Sequence, residues 1–242
     1  MSSVSNLNNI INIPPYSLLK KRKNEFYNKI LFDLTKHHYE NCQEYKKILN
    51  VIGFDPTIKE NIERLPPLPV RLFKDNDLLS VDKSKVVKTM TSSGTTSQGI
   101  SKIFLDRITS INQTKTLVKI VSSFTGKKRL PMLVIDTKAV HKERNLLTAR
   151  GAGILGISML GYDITYALDE DMQLNFEIVD NFCRKHKDES ILVFGFTFMV
   201  WEYFYKKLEK FGKKFDLEKG IMIHGGGWKK MREIAVDNAT FK

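Results

Sequence analysis

The chain has 242 residues, enough to bury a sizeable core as one large domain or two small ones. Its content, 42% hydrophobic and 27% charged, excludes disordered and fibrous classes, and no apolar run approaches the ~20 residues of a membrane-spanning helix. The net charge of +12 is scattered over short Lys/Arg runs with no recognition motif, so it reads as a solvated surface rather than a nucleic-acid interface.

Such a field still draws a polyanionic small ligand or an acidic carrier protein. Cys42 and Cys183 stand in no CxxC or Cys/His spacing, which fits free thiols in a reducing cytoplasm. The first residues, Met1 to Asn6, lack a basic region followed by an apolar one, so secretion is not indicated.

In chain order, Ser17–Leu49 predicts two helices, from Phe26, Ile30 and Leu34 and then Cys42, Tyr45 and Leu49 at helical spacing. His37 and His38 fall where the first gives way to the second. Neighbouring residues on a helix face different ways, so they read as a packing and capping pair rather than metal ligands. Gly53 and Pro56 close the helical region. Leu65-Pro66-Pro67-Leu68-Pro69-Val70 excludes helix and central strand, and predicts an extended crossing to the main sheet.

The stretch from Thr89 to Lys102 is dense in hydroxyls and glycine between apolar flanks (Val86, Val87; Ile103, Phe104, Leu105), a strand–turn–strand pattern. Successive backbone N–H groups and Ser/Thr hydroxyls in such a turn suit an anion, and Lys102 adds a mobile positive charge at the far lip. It is not a Walker A loop, because G-x-x-x-x-G-K-[ST] is absent.

Beyond it, Ser110–Ser122 predicts an amphipathic helix and Leu130–Asp136 a buried strand ending in a carboxylate. A helix is expected over His141–Arg150. It runs into Gly151-Ala152-Gly153-Ile154-Leu155-Gly156, whose spacing fails the dinucleotide fingerprint and reads as close packing of small residues. Leu174, Ile178, Val179 and Phe182 mark another helix, Ile191–Phe196 a strand, and Phe198–Phe211 an aromatic-rich helix. Ile221–His224 is a last buried strand opening onto Gly225-Gly226-Gly227-Trp228, and Met231–Lys242 reads as an amphipathic helix.

Strands alternating with helices predict an α/β fold, a mostly parallel sheet flanked by helices behind a helical N-terminal segment. The expected division is 1–64 for that segment and 65–242 for an α/β nucleotide-binding domain. Ligands of such sheets bind at strand carboxyl ends. Asp136, the Gly195-Phe196-Thr197 turn and the His224–Trp228 turn all lie there, which points to one shared site.

The order Ser93-Gly94-Thr95-Thr96 resembles the phosphate-binding loop of adenylate-forming (acyl-/aryl-CoA ligase) enzymes, written Ser-Gly-Thr-Thr-Gly-x-Pro-Lys. The chain departs from it at Ser97, Gly99 and Ile100. Three more stretches are similar to the LuxE-type acyl-protein synthetases of that superfamily. They are Thr35 to Leu49, Leu65 to Val70 with Phe73-Lys74, and Ile223-His224-Gly225-Gly226-Gly227-Trp228-Lys229-Lys230.

The resemblance implies ATP-dependent adenylation of a carboxylic acid, typically a fatty acid, and transfer of the acyl group to a thiol. It implies that Thr91, Ser92, Ser93, Gly94, Thr95, Thr96 and Ser97, with Lys102, hold the β- and γ-phosphates. His224, Gly225, Gly226 and Gly227 would lie against the adenine, and Gly195, Phe196 and Thr197 would form the wall towards the acyl chain. Mg²⁺ is expected, its Glu ligand in a Tyr-Gly-x-Thr-Glu segment that this sequence lacks. That segment and the acylated thiol are both expected in the region past Lys242, since neither Cys42 nor Cys183 matches the thiol.

The resemblance therefore implies the N-terminal part of a cytoplasmic enzyme, inactive alone. A thiol acceptor or an acyl-reductase-like protein would be its partner, without nucleic acid or membrane span. A non-catalytic scaffold subunit derived from such an enzyme is the alternative reading, and a basic nucleic-acid-binding protein the third.

Overall fold

The computed structural model describes residues 10–58, 62–91, 100–141 and 149–241. The chain gathers into two compact units, one ending at Ile120 and the other beginning at Val121.

In the first unit, α1 (Lys20–Asn41) and α2 (Gln43–Val51) are the two predicted helices, separated by Cys42 in an extended conformation. His38 sits in the last turn of α1 and His37 just before it; the Cys42 N–H bonds the His38 carbonyl and the Asn41 amide bonds the His37 carbonyl. These bonds satisfy carbonyls that a helix end leaves open. α2 closes on a Schellman pair, Gly53 N–H to Asn50 O and Phe54 N–H to Leu49 O.

Residues 66–69 form neither helix nor strand, as three prolines require. A short α3 (Leu72–Asp75) follows, then β1 (Val86–Thr91) and β2 (Lys102–Asp106), paired antiparallel. α4 (Arg107–Thr125) begins in this unit, its first turn capped by the Asp106 carboxylate, which accepts the Thr109 N–H.

The second unit holds a four-stranded, all-parallel sheet in the order β4-β3-β5-β6. The strands are β3 (Leu130–Thr137), β4 (Gly161–Leu168), β5 (Ile191–Phe196) and β6 (Gly220–Gly225). Central β3 and β5 are continuous apolar runs because both their faces are covered. Pro131 donates no ladder bond, and the β3–β4 register shifts between it and Leu133.

One face, carrying Leu133, Ile135 and Val193, packs on Val179, Phe182 and Cys183 of α6 (Phe176–Lys185) and on Met199 and Phe204. The last two belong to a helix that runs through α7 (Thr197–Met199), a π-helical stretch (Val200–Tyr205) and α8 (Lys206–Phe211). Side chains alternate across a strand, so Phe194 and Phe196 point to the opposite face, against α5 (Ala149–Ser158). The expected parallel sheet with flanking helices is therefore the architecture found.

Two sequence expectations are corrected. The helix expected at His141–Arg150 falls mostly on residues 142–148, outside the described residues; a 3₁₀ turn covers Lys138–His141, and α5 runs from Ala149 through the glycines, whose small size lets it approach the sheet aromatics. β4 was not anticipated, because Asp163 and Thr165 on this edge strand break the apolar run. Met231–Lys242 is not one helix. A 3₁₀ segment (Lys229–Ile234) kinked at Met231 is followed by α9 (Asn238–Phe241), where the Asp237 carboxylate accepts the Thr240 N–H and starts a new turn. Among the described residues, no helix is long and apolar enough to cross a membrane.

Candidate functional site at the carboxyl edge of the sheet

The strand order places a switch point between β3 and β5. The chain leaves β3 towards β4 on one side and leaves β5 towards β6 on the other, which opens a crevice at their carboxyl ends. Asp136, Thr137, Gly195, Phe196 and Thr197 stand at that edge.

Gly195 is set by packing. It pairs with Ile135 on one side and His224 on the other, and a Cβ on it would lie 2.7 Å from Val200 Cγ2 and 3.0 Å from Ile135 Cβ. Phe196 pairs with Gly225. Thr197 is buried, and its hydroxyl lies 3.1 Å from both the Gly225 carbonyl and His224 Nδ1. A carbonyl only accepts, so the single hydroxyl proton goes to Gly225 and the imidazole Nδ1–H donates to the hydroxyl oxygen. The β5 and β6 corners are thereby tied into one wall.

After β6 the chain turns through Gly226 and Gly227, both left-handed (φ +84° and +58°), which L side chains resist. Their backbone is exposed, and the space a Cβ would take at Gly225 and Gly227 is open to 4 Å. Gly226 differs, because the Phe196 ring occupies that space at 2.5 Å. An aromatic cluster flanks the turn: Trp201 meets Trp228 edge-on at 6.1 Å, and His224 lies 4.8 Å from the Phe241 ring. Bare peptide beside an aromatic ring offers a flat, ring-shaped ligand both stacking surface and backbone partners.

On the other side of the switch point Asp136 is buried. Its Oδ1 accepts the Thr137 N–H at 2.7 Å, and Arg150 Nε at the start of α5 lies 3.1 Å from Oδ2. Burial, aided by the Asp136 charge, raises the Tyr166 phenol on β4 above its ordinary value. The sequence pointed to Asp136 by its place at a strand end. Arg150 carried no signal, because only the fold brings α5 to that carboxylate.

Gly195, Phe196, Thr197, His224, Gly225, Gly226 and Gly227 are thus brought together. Thr91 and Lys102 belong to the first unit, where they pair across the mouth of the β1–β2 hairpin, and the Lys102 ammonium lies 3.4 Å from Asp77. Ser92, Ser93, Gly94, Thr95, Thr96 and Ser97 lie outside the described residues. Both cysteines are free and buried, and burial pushes the Cys183 thiol up to about 11, away from nucleophilic chemistry.

Comparison with known proteins agrees with this architecture. A crystal structure of 2-hydroxyisobutyryl-CoA ligase, in the postadenylation state with 2-HIB-AMP, shares the fold with a TM-score of 0.62 at 11% identity, over 89% of this chain and 48% of that one. A long-chain-fatty-acid–luciferin-component ligase of Vibrio harveyi is 24% identical over 214 residues, 85% of this chain and 54% of its own. Its counterpart in Photorhabdus luminescens is 36% identical over 67 residues, 28% of this chain and 57% of its own. The chain spans about half the length of these relatives. The description of the acyl-protein synthetase LuxE family matches residues 1–242 throughout, and the chain belongs to that family.

Proposed function

We propose that the chain contributes the nucleotide-binding part of an ATP-dependent acyl ligase, which adenylates a fatty acid and passes the acyl group to a thiol. The observation that carries this reading is the corner where Thr197 ties His224 to Gly225 and Phe196 lies over Gly226, at the switch point of a parallel sheet. The exposed peptide of Gly225 to Gly227 receives the adenine edge, and Phe196 walls the crevice towards the acyl group. Residues 65–242 are the nucleotide-binding part in this reading, and 1–64 a helical N-terminal segment.

Carboxylate attack on the α-phosphorus gathers negative charge on the phosphate oxygens. The hydroxyl stretch, Thr91 to Ser97, has the N–H and O–H donors that suit phosphate oxygens, and Lys102 has an ammonium, so the resemblance supports these residues as the phosphate-binding loop. Among the described residues no three His, Cys, Asp or Glu side chains converge on a point, so no residue of this chain is assigned to Mg²⁺. The deep burial and raised thiol of Cys183 support an acceptor thiol other than this one.

The test uses the chain's two tryptophans. Trp201 and Trp228 both stand at the corner, so ATP or a non-hydrolysable acyl-adenylate analogue is expected to change intrinsic fluorescence saturably. Flat titrations by fluorescence and calorimetry, with both ligands, defeat the reading.

A further inference from the structure

At the carboxyl end of β3 stands an ion pair that the glycine corner does not use, Asp136 with Arg150. Asp136 follows Ile135, and Ile135 pairs with Gly195 of β5, so Asp136 and Phe196 stand level on adjacent strands. Side chains alternate across a strand and Ile135 faces the α6 core, so Asp136 and Phe196 both point to the α5 face. Tyr166 of β4 shares that face, because it pairs with Val134, and the Asp136 charge acts on its phenol. Arg150 reaches this row from the start of α5. It lies one helical turn before Gly153, whose missing Cβ would face the Phe196 ring at 3.2 Å.

The pair is asymmetric. The Asp136 side chain is 1% exposed and out of a ligand's reach, whereas that of Arg150 is 32% exposed. Their contact runs from Nε to Oδ2 at 3.1 Å, and no other described residue pairs with Arg150, so the terminal Nη groups keep N–H donors for a further partner. An ion pair placed for stability alone adds little, since desolvating both charges offsets their attraction. A buried carboxylate that orients a half-open guanidinium has a different use. It fixes the planar fork, whose parallel N–H bonds match two oxygens of one carboxylate or phosphate. The fork stands beside the switch point, where ligands of such sheets bind.

We propose that Arg150, oriented by Asp136, is an anion-binding residue of this crevice and grips paired oxygens of a ligand's phosphate or carboxylate. The choice of anion rests on the acyl-ligase reading above, in which a carboxylate meets a nucleotide phosphate. The place does not, because it follows from the ion pair and its position at the switch point. Asp136 stays out of contact with the ligand and acts as a positioning residue. The glycine corner offers a flat ring its peptide and aromatic surfaces, and Arg150 adds a charged fork on the β3 side.

The experiment titrates the 242-residue chain by calorimetry with ligands that differ only in the anion: AMP against adenosine, and octanoate against octanol. Arg150→Ala would strand the buried Asp136 charge and endanger the fold, so two milder changes are used. Arg150→Lys keeps the positive charge without the fork, and Arg150→Gln combined with Asp136→Asn removes both charges together. Thermal melts report that each variant is folded. The affinity ratio of AMP to adenosine, or of octanoate to octanol, is expected to fall by about ten- to a hundredfold in the double variant. In Arg150→Lys the fall is expected to be smaller, about three- to tenfold. A fall in the first ratio identifies phosphate as the anion and a fall in the second identifies carboxylate; either supports the assignment.

Purely structural damage weakens both members of a couple together, so ratios that hold in both variants overturn the assignment. So does a wild-type chain that binds adenosine as tightly as AMP and octanol as tightly as octanoate. In either case adenosine and AMP still bind, and the acyl-ligase reading stands. Absence of binding by every one of these ligands, and by ATP, defeats that reading and this inference together.

Discussion

The Phe196 ring lies so close to Gly226 that a Cβ on the glycine would stand 2.5 Å from ring Cδ1, and Gly226 is held at φ +84°. Two independent constraints, a left-handed backbone and an occupied side-chain volume, therefore require glycine at one position. This contact fixes the turn between β6 and the Trp228 region against the end of β5.

Gly226→Ala is expected to cost about 2–4 kcal/mol, the sum of left-handed strain and overpacking. Because Phe196→Ala vacates the space, the double variant should recover the steric part and keep the backbone part. Urea melts of the four proteins give that coupling, and strict additivity would show that the ring does not hold the turn.

Gly153→Ala supplies a contrast. Its Cβ would meet Phe196 Cζ at 3.2 Å, but the position is helical, where Ala gains ~1 kcal/mol over Gly. The two effects oppose, so a change within about 1 kcal/mol is expected. A loss as large as that of Gly226→Ala would mean that α5 is pinned more rigidly than its contacts indicate.

Thr197→Val keeps the shape of the side chain and removes the hydroxyl shared by His224 and Gly225. A stability loss of about 1–2 kcal/mol is expected from the two polar partners left behind, together with weaker ATP binding. Thr197→Ser should restore most of both. If Val and Ser behave alike in urea melts and ATP titration, the bridge has no role.

Acid should loosen the second unit through a cluster at the start of β4. There Asp163 Oδ2 lies 2.7 Å from both Lys185 Nζ and His186 Nε2, and Glu189 Oε1 lies 2.8 Å from His186 Nδ1. Lys185 first and then His186 hold the Asp163 carboxyl below its ordinary value, and His186 does the same for Glu189, aided by the Tyr162 hydroxyl. A carboxylate with a depressed folded-state pKa binds protons more readily when unfolded. Its stabilisation is full above the unfolded value near ~4 and fades as pH falls through the folded value. Melts from pH 6 to 2.5 should show this fall, and Asp163→Asn should flatten its part of the curve. An unchanged acid limb in that variant would remove Asp163 from the account.

Buried thiols should be inert. With Cys183 pushed up to about 11, its native alkylation at pH 8 should run at least about a hundredfold slower than that of a free thiol. Denaturation should expose both cysteines, and fast single-site labelling of Cys183 in the folded chain would contradict the burial.

The sequence by itself determined much of this protein. Apolar runs such as Ile191–Phe196 fixed the buried strands, and proline at 66, 67 and 69 barred regular structure there. The ordered glycine and hydroxyl motifs matched one ligase family. Each of these is a local property, carried by neighbouring residues along the chain. Only the tertiary structure decided that β3 and β5 flank the switch point, that Arg150 meets Asp136, and that Phe196 fills the missing side chain of Gly226. Residues more than ten positions apart meet only when the sheet assembles, and no spacing rule encodes which of them will touch. The edge strand β4 and the break near Asp237 stayed illegible for a related reason: their pattern is weak locally and is settled by pairing with β3 and by a single cap.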